Sequence, residues 1–451
     1  MTTAKRVMVV SLGCAKNLVD TEVMLGQLVE RGWTITAGSE AELYLINTCG
    51  FLEEALAESY AEIEELVELK RRNPNSRLAV VGCGVEAAHK EILERFPEAD
   101  LIVGTGSLHH LGELVDELAK TTDPLEEFLP PGGAYDGNPD PLPLRVAATV
   151  PHVSYLKLAE GCDLGCTFCA IPTLRGAQRS RPVETLVDEA VSLVSEGVRE
   201  LILIAQETTA YGRDLYGEPS LPRLLRELSL NLPEDDLWLR ILYPNPFRVD
   251  RELLDLMAGL PQIVPYLDLP FQHVDDGVLK GMGRSGSAAE LAEKIAQARE
   301  LMPDLTLRGT ALVGFPGEDP AAFDRLVTFV KETAFDHLGI FPFSPRPGTA
   351  AFDLPYQVSN DTGKLRAEAV YQLQEAISQS NHDELVGEND IVLVDGVEGN
   401  TAIARSQRFC PDADGHITVK LPADHDWQPG DFREVVYTEA RPYDLTAKPE
   451  E

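Results

Sequence analysis

Seven cysteines offer the most chemistry in this chain: Cys14, Cys49, Cys83, Cys162, Cys166, Cys169 and Cys410. Three of them crowd one short segment, Cys162-Asp-Leu-Gly-Cys166-Thr-Phe-Cys169. Thiolates are soft ligands that select zinc, copper(I) or iron–sulfur centres. Three on one loop leave a further metal position open, which is what catalysis at a metal requires. Zinc loops more often pair cysteines across a two-residue gap, with the second pair well separated. The spacing therefore favours iron–sulfur chemistry, with a zinc site completed by a distant ligand, or buried structural cysteines, as the alternatives.

Cys14, Cys49 and Cys83 follow no spacing rule, but each comes just after an apolar run: Val9-Val10-Ser11-Leu12-Gly13-Cys14, Ile46-Asn47-Thr48-Cys49 and Val80-Val81-Gly82-Cys83. If those runs are parallel strands, their carboxyl ends share one edge and the three thiols converge there. Gly13, Gly50, Gly82 and Gly84 beside them permit close backbone approach. Three ordinary core cysteines are the competing reading. An odd number of cysteines in a long chain argues against a disulfide framework.

The elements that must position these thiols fall into three regions. Residues 1–120 alternate short strands (Val7–Leu12, Leu43–Asn47, Leu78–Val81) with amphipathic helices, a small parallel α/β domain. Residues 123–143 hold Pro124, Pro130, Pro131, Pro139, Pro141 and Pro143 among glycines and acids, which predicts a linker, bounded at 121–147. Six strand–helix repeats fill 148–383: Val153–Leu158, Leu201–Ala205, Leu237–Leu242, Val264–Leu269, Leu305–Val313 and His337–Phe343. Such alternation gives parallel strands with right-handed crossovers, here a partial (βα)6 barrel. The cysteine loop follows the first of these strands, at the catalytic end of such a barrel. A polar helix, Lys364 to His382, is expected to leave the barrel. Residues 384–451 read as a small antiparallel β-barrel.

The chain has 451 residues, 44% of them hydrophobic, enough for several cores. No apolar run reaches membrane-spanning length, and the start of the chain lacks a signal-peptide pattern, so a cytoplasmic protein without membrane partners is expected. The 39 basic and 74 acidic residues give a net charge of −35, a field that repels bare phosphate backbones.

The Cys162–Cys169 motif resembles that of the radical S-adenosylmethionine superfamily. With the N-terminal triad, the chain resembles the methylthiotransferases over almost its whole length: iron–sulfur domain, radical barrel and a TRAM-like C-terminal barrel. The resemblance implies two [4Fe–4S] clusters, one on Cys162, Cys166 and Cys169, the other on Cys14, Cys49 and Cys83. It implies S-adenosylmethionine as methyl donor and as source of a 5′-deoxyadenosyl radical, with a low-potential electron donor and a sulfur donor as partners. Ser11-Leu12-Gly13-Cys14-Ala15-Lys16-Asn17-Leu18-Val19-Asp20, Asn47-Thr48-Cys49-Gly50-Phe51, Ile171-Pro172-Thr173-Leu174-Arg175-Gly176 and Leu269-Pro270-Phe271-Gln272-His273 resemble the RimO subfamily. That subfamily acts on an aspartate of ribosomal protein S twelve; its tRNA-modifying relatives usually carry Cys-Gln-Met-Asn at the first site and Gln-Ser-Gly-Ser at the last. From Glu388 onward there are 14 acids and 6 bases, which suits a basic ribosomal protein better than tRNA. In the loop Arg405–Gly415, Phe409 and Cys410 stand where the family pattern has an acid and an alanine. Cys410 reads as a packed thiol.

Softer expectations attach to the barrel. Phe168 resembles the position that packs near the adenine, or is a core aromatic. Gln206 and Glu207 end the second strand, where the superfamily faces the methionine amine. Arg240, near the end of the third strand, meets a carboxylate or joins a surface salt bridge. Gly314, in Gly314-Phe315-Pro316-Gly317, resembles the strand end beside adenine and ribose. His273 contacts substrate or is a satisfied polar histidine. Arg175, Arg179 and Arg181 grip a substrate carboxylate or balance an anionic thiolate cluster. The rivals to a protein methylthiotransferase are the same chemistry on tRNA, an iron–sulfur carrier without radical chemistry, and a non-catalytic ribosome-binding factor.

Overall fold

The computed structural model describes residues 5–131 and 144–450. The N-terminal unit is a parallel sheet of six strands in the order Trp33–Ile35, Lys5–Ser11, Leu43–Thr48, Arg77–Gly82, Leu101–Val103 and Leu125–Glu127. Leu43–Thr48 is buried throughout, as expected of a strand covered on both faces. Helices Ala15–Glu30 and Leu111–Leu118 pack on one side, with Leu25, Leu28, Leu111 and Val115 in its core. Glu53–Arg72 and Cys83–Arg95 cover the other, with Ile63, Leu66 and Ile92 in that core. Three of the six strands were not anticipated. Leu125–Glu127 corrects the expected linker: despite Pro124, this segment adds at the sheet edge beside Leu101–Val103. Pro139, Pro141 and Pro143 lie outside the described residues.

The central unit holds the six expected parallel strands in two groups of three. Val153–Lys157, Glu200–Ile204 and Trp238–Ile241 form one; Tyr266–Gln272, Thr306–Val313 and His337–Pro342 form the other. A parallel bridge, Leu239 to Ile263, joins them, so the barrel is partial. One apolar core runs beneath the helices from Leu156 to Val370.

The helix expected to leave the barrel runs Asn360–Leu385 and stays on it. Ala367 and Val370 enter the barrel core, and Tyr371 donates its hydroxyl to the Ile340 carbonyl at 2.7 Å. Its polar composition misled because the buried face includes Gln374 and Ser378, which satisfy the Phe335 and Asp336 carbonyls. The C-terminal unit is a closed five-stranded barrel, antiparallel except for the parallel pair Ile417–Lys420 and Leu445–Pro449. Among the described residues, no helix is long and apolar enough to cross a membrane.

Candidate active site

In the N-terminal sheet, Ser11 pairs with Asn47 and Thr48 with Gly82, so three strand ends lie level at one edge. Cys14 caps the helix Ala15–Glu30, Cys49 follows Leu43–Thr48, and Cys83 opens the helix Cys83–Arg95. A Cβ on Gly13, where φ is +91°, would lie 2.9 Å from both Cβ and Sγ of Cys49; only glycine admits this approach. Asn17 laces the edge, its Nδ2 donating to Leu12 O at 3.0 Å and Thr48 O at 3.1 Å. The Cys49 N–H donates to Ser59 Oγ at 3.0 Å. Burial pushes the Cys49 thiol up and that of Cys83 to about 12.

The second triad lies on the loop after the first barrel strand. That loop is clamped by Cys162 N–H to Gly176 O at 3.1 Å, Thr167 N–H to Met282 O at 3.0 Å and Ala351 N–H to Thr167 O at 2.8 Å. The Leu164 N–H points at Cys162 Sγ (3.5 Å) and the Ile171 N–H at Cys169 Sγ (3.4 Å). Burial pushes Cys162 to about 12 and Cys169 to about 11. Among the described residues, no three His, Cys, Asp or Glu side chains close around a single metal ion. The donors are two soft triads with amide N–H groups aimed at sulfur, a set suited to clusters whose irons are held at separate corners.

Between the triads lies a buried charge network. Arg175 donates from Nε to Cys83 Sγ at 3.0 Å and from Nη1 to Asp20 at 2.6 Å and Glu160 at 3.1 Å. Its Nη2 bonds Asn17 Oδ1. Lys157 bonds Asp20 and, at 2.9 Å, Glu160. Burial works against the Glu160 carboxylate, but Arg175 and Lys157 outweigh it and hold the group at about 2. Arg346 reaches across from the far side, donating to Phe51 O at 2.8 Å. Lys16 is 8% exposed, and its ammonium sits 3.2 Å from the centre of the Tyr243 ring.

The charge-balance reading of the arginines holds for Arg175: its donors are taken up within the protein. Arg181 pairs with Glu189, and Arg179 is exposed. Arg240 is a correction. It is fully buried and bound to Glu200 at 2.7 Å, with Nη1 and Nη2 donating to the Gln407 and Phe409 carbonyls of the C-terminal unit. Glu200 begins its strand, so the guanidinium points to the end of the barrel opposite the cysteine loop. Glu207 accepts from Ala210 N–H and pairs with Arg248 at 2.6 Å; its charge still acts on Cys162. Gln206 donates to Glu160 at 2.7 Å and leaves its buried Oε1 without a partner. Phe168 lies edge-on to Phe315 at 6.4 Å in an apolar cluster with Val278 and Met282. Gly314, φ +76°, lets its strand end approach the last helix: a Cβ would lie 2.9 Å from Gly363 Cα. His273 is buried, its Nδ1 accepting from Asp275 N–H and its Nε2 facing Glu318 Oε1 at 3.9 Å, beyond hydrogen-bond distance. Cys410 packs among Val153, Trp238 and Tyr266.

Sequence reasoning missed Lys16, Asp20, Lys157, Glu160 and Arg346. The local signals were Glu160, two residues before Cys162, and the Ser11–Asp20 motif that contains Lys16 and Asp20.

A three-cysteine loop at the mouth of a partial parallel barrel defines the protein as a radical S-adenosylmethionine enzyme, and the Radical SAM superfamily model matches residues 156–330. Uncharacterized protein family UPF0004 matches 6–104 and the TRAM domain 386–449. The chain is 42% identical to the ribosomal protein uS12 methylthiotransferase RimO of Syntrophus aciditrophicus (strain SB), covering 98% of this chain and 97% of that one. It is 38% identical to that of Geobacter sulfurreducens, covering 99% of each. The chain belongs to the RimO family of ribosomal protein uS12 methylthiotransferases. The solved structure of the radical S-adenosylmethionine methyltransferase TsrM from Kitasatospora setae is similar in fold, with a TM-score of 0.59 and 17% identity over 78% of this chain and 77% of that one.

Proposed function

We propose that this chain methylthiolates the β-carbon of an aspartate of ribosomal protein uS12 in the cytoplasm, drawing on a low-potential electron donor and a sulfur donor. In this reading residues 1–120, 148–383 and 384–451 are the working units, joined by 121–147. Cys14, Cys49 and Cys83 hold one [4Fe–4S] cluster; Cys162, Cys166 and Cys169 hold the other. Bound there, the clusters and S-adenosylmethionine supply one-electron cleavage of the sulfonium and the methylated sulfur to be delivered.

The observation that carries this reading is Arg175, whose one guanidinium touches a sulfur of the first triad and Glu160 beside the second. One side chain thus links the two triads, and a two-centre reaction on one carbon needs them close together. Amide N–H groups at Cys162 and Cys169 favour their thiolate forms. The orphaned Gln206 Oε1 is placed to accept from an ammonium, as in the methionine moiety. Phe168 and Gly314 wall the nucleoside side, and Glu207 adds negative charge near Cys162.

The test is mass spectrometry of ribosomal protein uS12 from cells with and without this gene. The methylthio increment on one aspartate is expected only with the gene; its presence in both strains rules the reading out.

A further inference from the structure

The target carbon in the proposed reaction loses hydrogen on the Cys162 side and gains sulfur on the Cys14 side, so its side chain must enter the space between. An aspartate brings a carboxylate with it, and a carboxylate leaving water needs a cation there. Arg175 is committed to Cys83, Asp20, Glu160 and Asn17. Arg346 donates to the Phe51 carbonyl and lies within electrostatic reach of Cys49, Cys83 and Cys169.

Lys16 differs from both. It is more than nine-tenths buried, yet no described hydrogen bond or ion pair reaches its ammonium, which rests on the Tyr243 ring. The negative charges that act on it are those of Cys14, Asp268 and Glu160, and both acids are hydrogen-bonded to other groups. Asp20 and Glu160 are matched by Lys157 and Arg175; Asp268 accepts from the Tyr243 N–H at 3.0 Å and from Arg308 at 3.1 Å, an arginine it shares with Asp414. Tyr243 itself is held at φ +63°, a conformation a bulky residue adopts only under constraint, and this keeps its ring under the ammonium. Lys16 lies two residues from Cys14 and within electrostatic reach of Asp268, inside the strand Tyr266–Gln272, and of Glu160, which follows the first barrel strand. A buried ammonium with no hydrogen-bonded acceptor keeps its donors available to an arriving anion.

We infer that Lys16 receives the target aspartate: its Nζ donates to the substrate carboxylate and so fixes the adjacent β-carbon between the two cysteine triads. This rests on the functional reading above. The carboxylate of the S-adenosylmethionine methionine moiety offers the same chemistry, and the experiment separates the two.

Anaerobically prepared holoenzyme is titrated with uS12 carrying either its target aspartate or an Asp→Asn replacement, and separately with S-adenosylmethionine. The wild-type enzyme is expected to favour the aspartate form by about tenfold or more. Lys16→Met keeps an unbranched stem over Tyr243 and should erase that preference, with iron content and cofactor affinity unchanged. Lys16→Arg should retain part of it. Persistence of the preference in Lys16→Met overturns the inference, as does loss of cofactor affinity or iron in its place. If Lys16→Met does not fold, the wild-type comparison still decides: equal binding of the two uS12 forms overturns it. Wild-type enzyme that binds uS12 but never modifies it overturns the functional reading instead.

Discussion

Arg175 Nε donates a 3.0 Å hydrogen bond to the Cys83 sulfur, although the two residues belong to different units of the chain. The same guanidinium neutralises Asp20 and Glu160, both buried. Removing one partner of a buried ionic network leaves uncompensated charge, at about 3–5 kcal/mol. Arg175→Met should therefore lower the free energy of unfolding by that amount, read from chemical denaturation. Arg175→Lys, which lacks the planar fork, should recover only part of the loss.

The two triads predict separable defects. Cys162→Ala should remove about half the iron and all formation of 5′-deoxyadenosine. Cys49→Ala should remove a similar share of iron, keep 5′-deoxyadenosine formation and abolish methylthio transfer. Gly13→Ala should behave like Cys49→Ala, because its methyl group would meet Cys49 at 2.9 Å. Iron analysis with chromatography of the nucleoside product checks all three.

Stability of the metal-free protein should vary with pH at both ends. Glu160 is held at about 2, below its ordinary 4.5, so its contribution is present above 4.5 and lost as pH falls toward 2. Cys83 and Cys162 are pushed from 9.0 to about 12, so the fold favours the neutral thiol. That contribution is complete below 9 and is lost as pH rises toward 12. Melting temperatures across pH should show a plateau between these limits. Cluster-loaded protein should lack the alkaline decline, since its ligands are already thiolates.

Arg240 sits with Arg405 around the fully buried Glu200. Arg240→Met should destabilise the protein by about 3–5 kcal/mol. Affinity for S-adenosylmethionine, measured by equilibrium dialysis on the folded variant, should stay at the wild-type value.

The sequence made the cysteines legible because strand-end position and ligand spacing are local properties. The barrel was legible for the same reason: six apolar runs each precede a helical pattern. Arg240 was misread because a strand residue's direction depends on its register partners; its counter-ion lies 40 residues away on the neighbouring strand. Lys16 stands within a recognisable motif, yet its isolation follows only from where Tyr243, Asp268 and Glu160 come to rest. Leu125–Glu127 was lost among prolines because an edge strand needs hydrogen bonds on one side only.

Cys83 is 7% exposed, with Arg175 laid over its sulfur. Anything that reaches that sulfur from outside must displace the guanidinium, and with it the pairing of Asp20 and Glu160. Access to one thiol is thereby tied to the integrity of the seam between the first unit and the second.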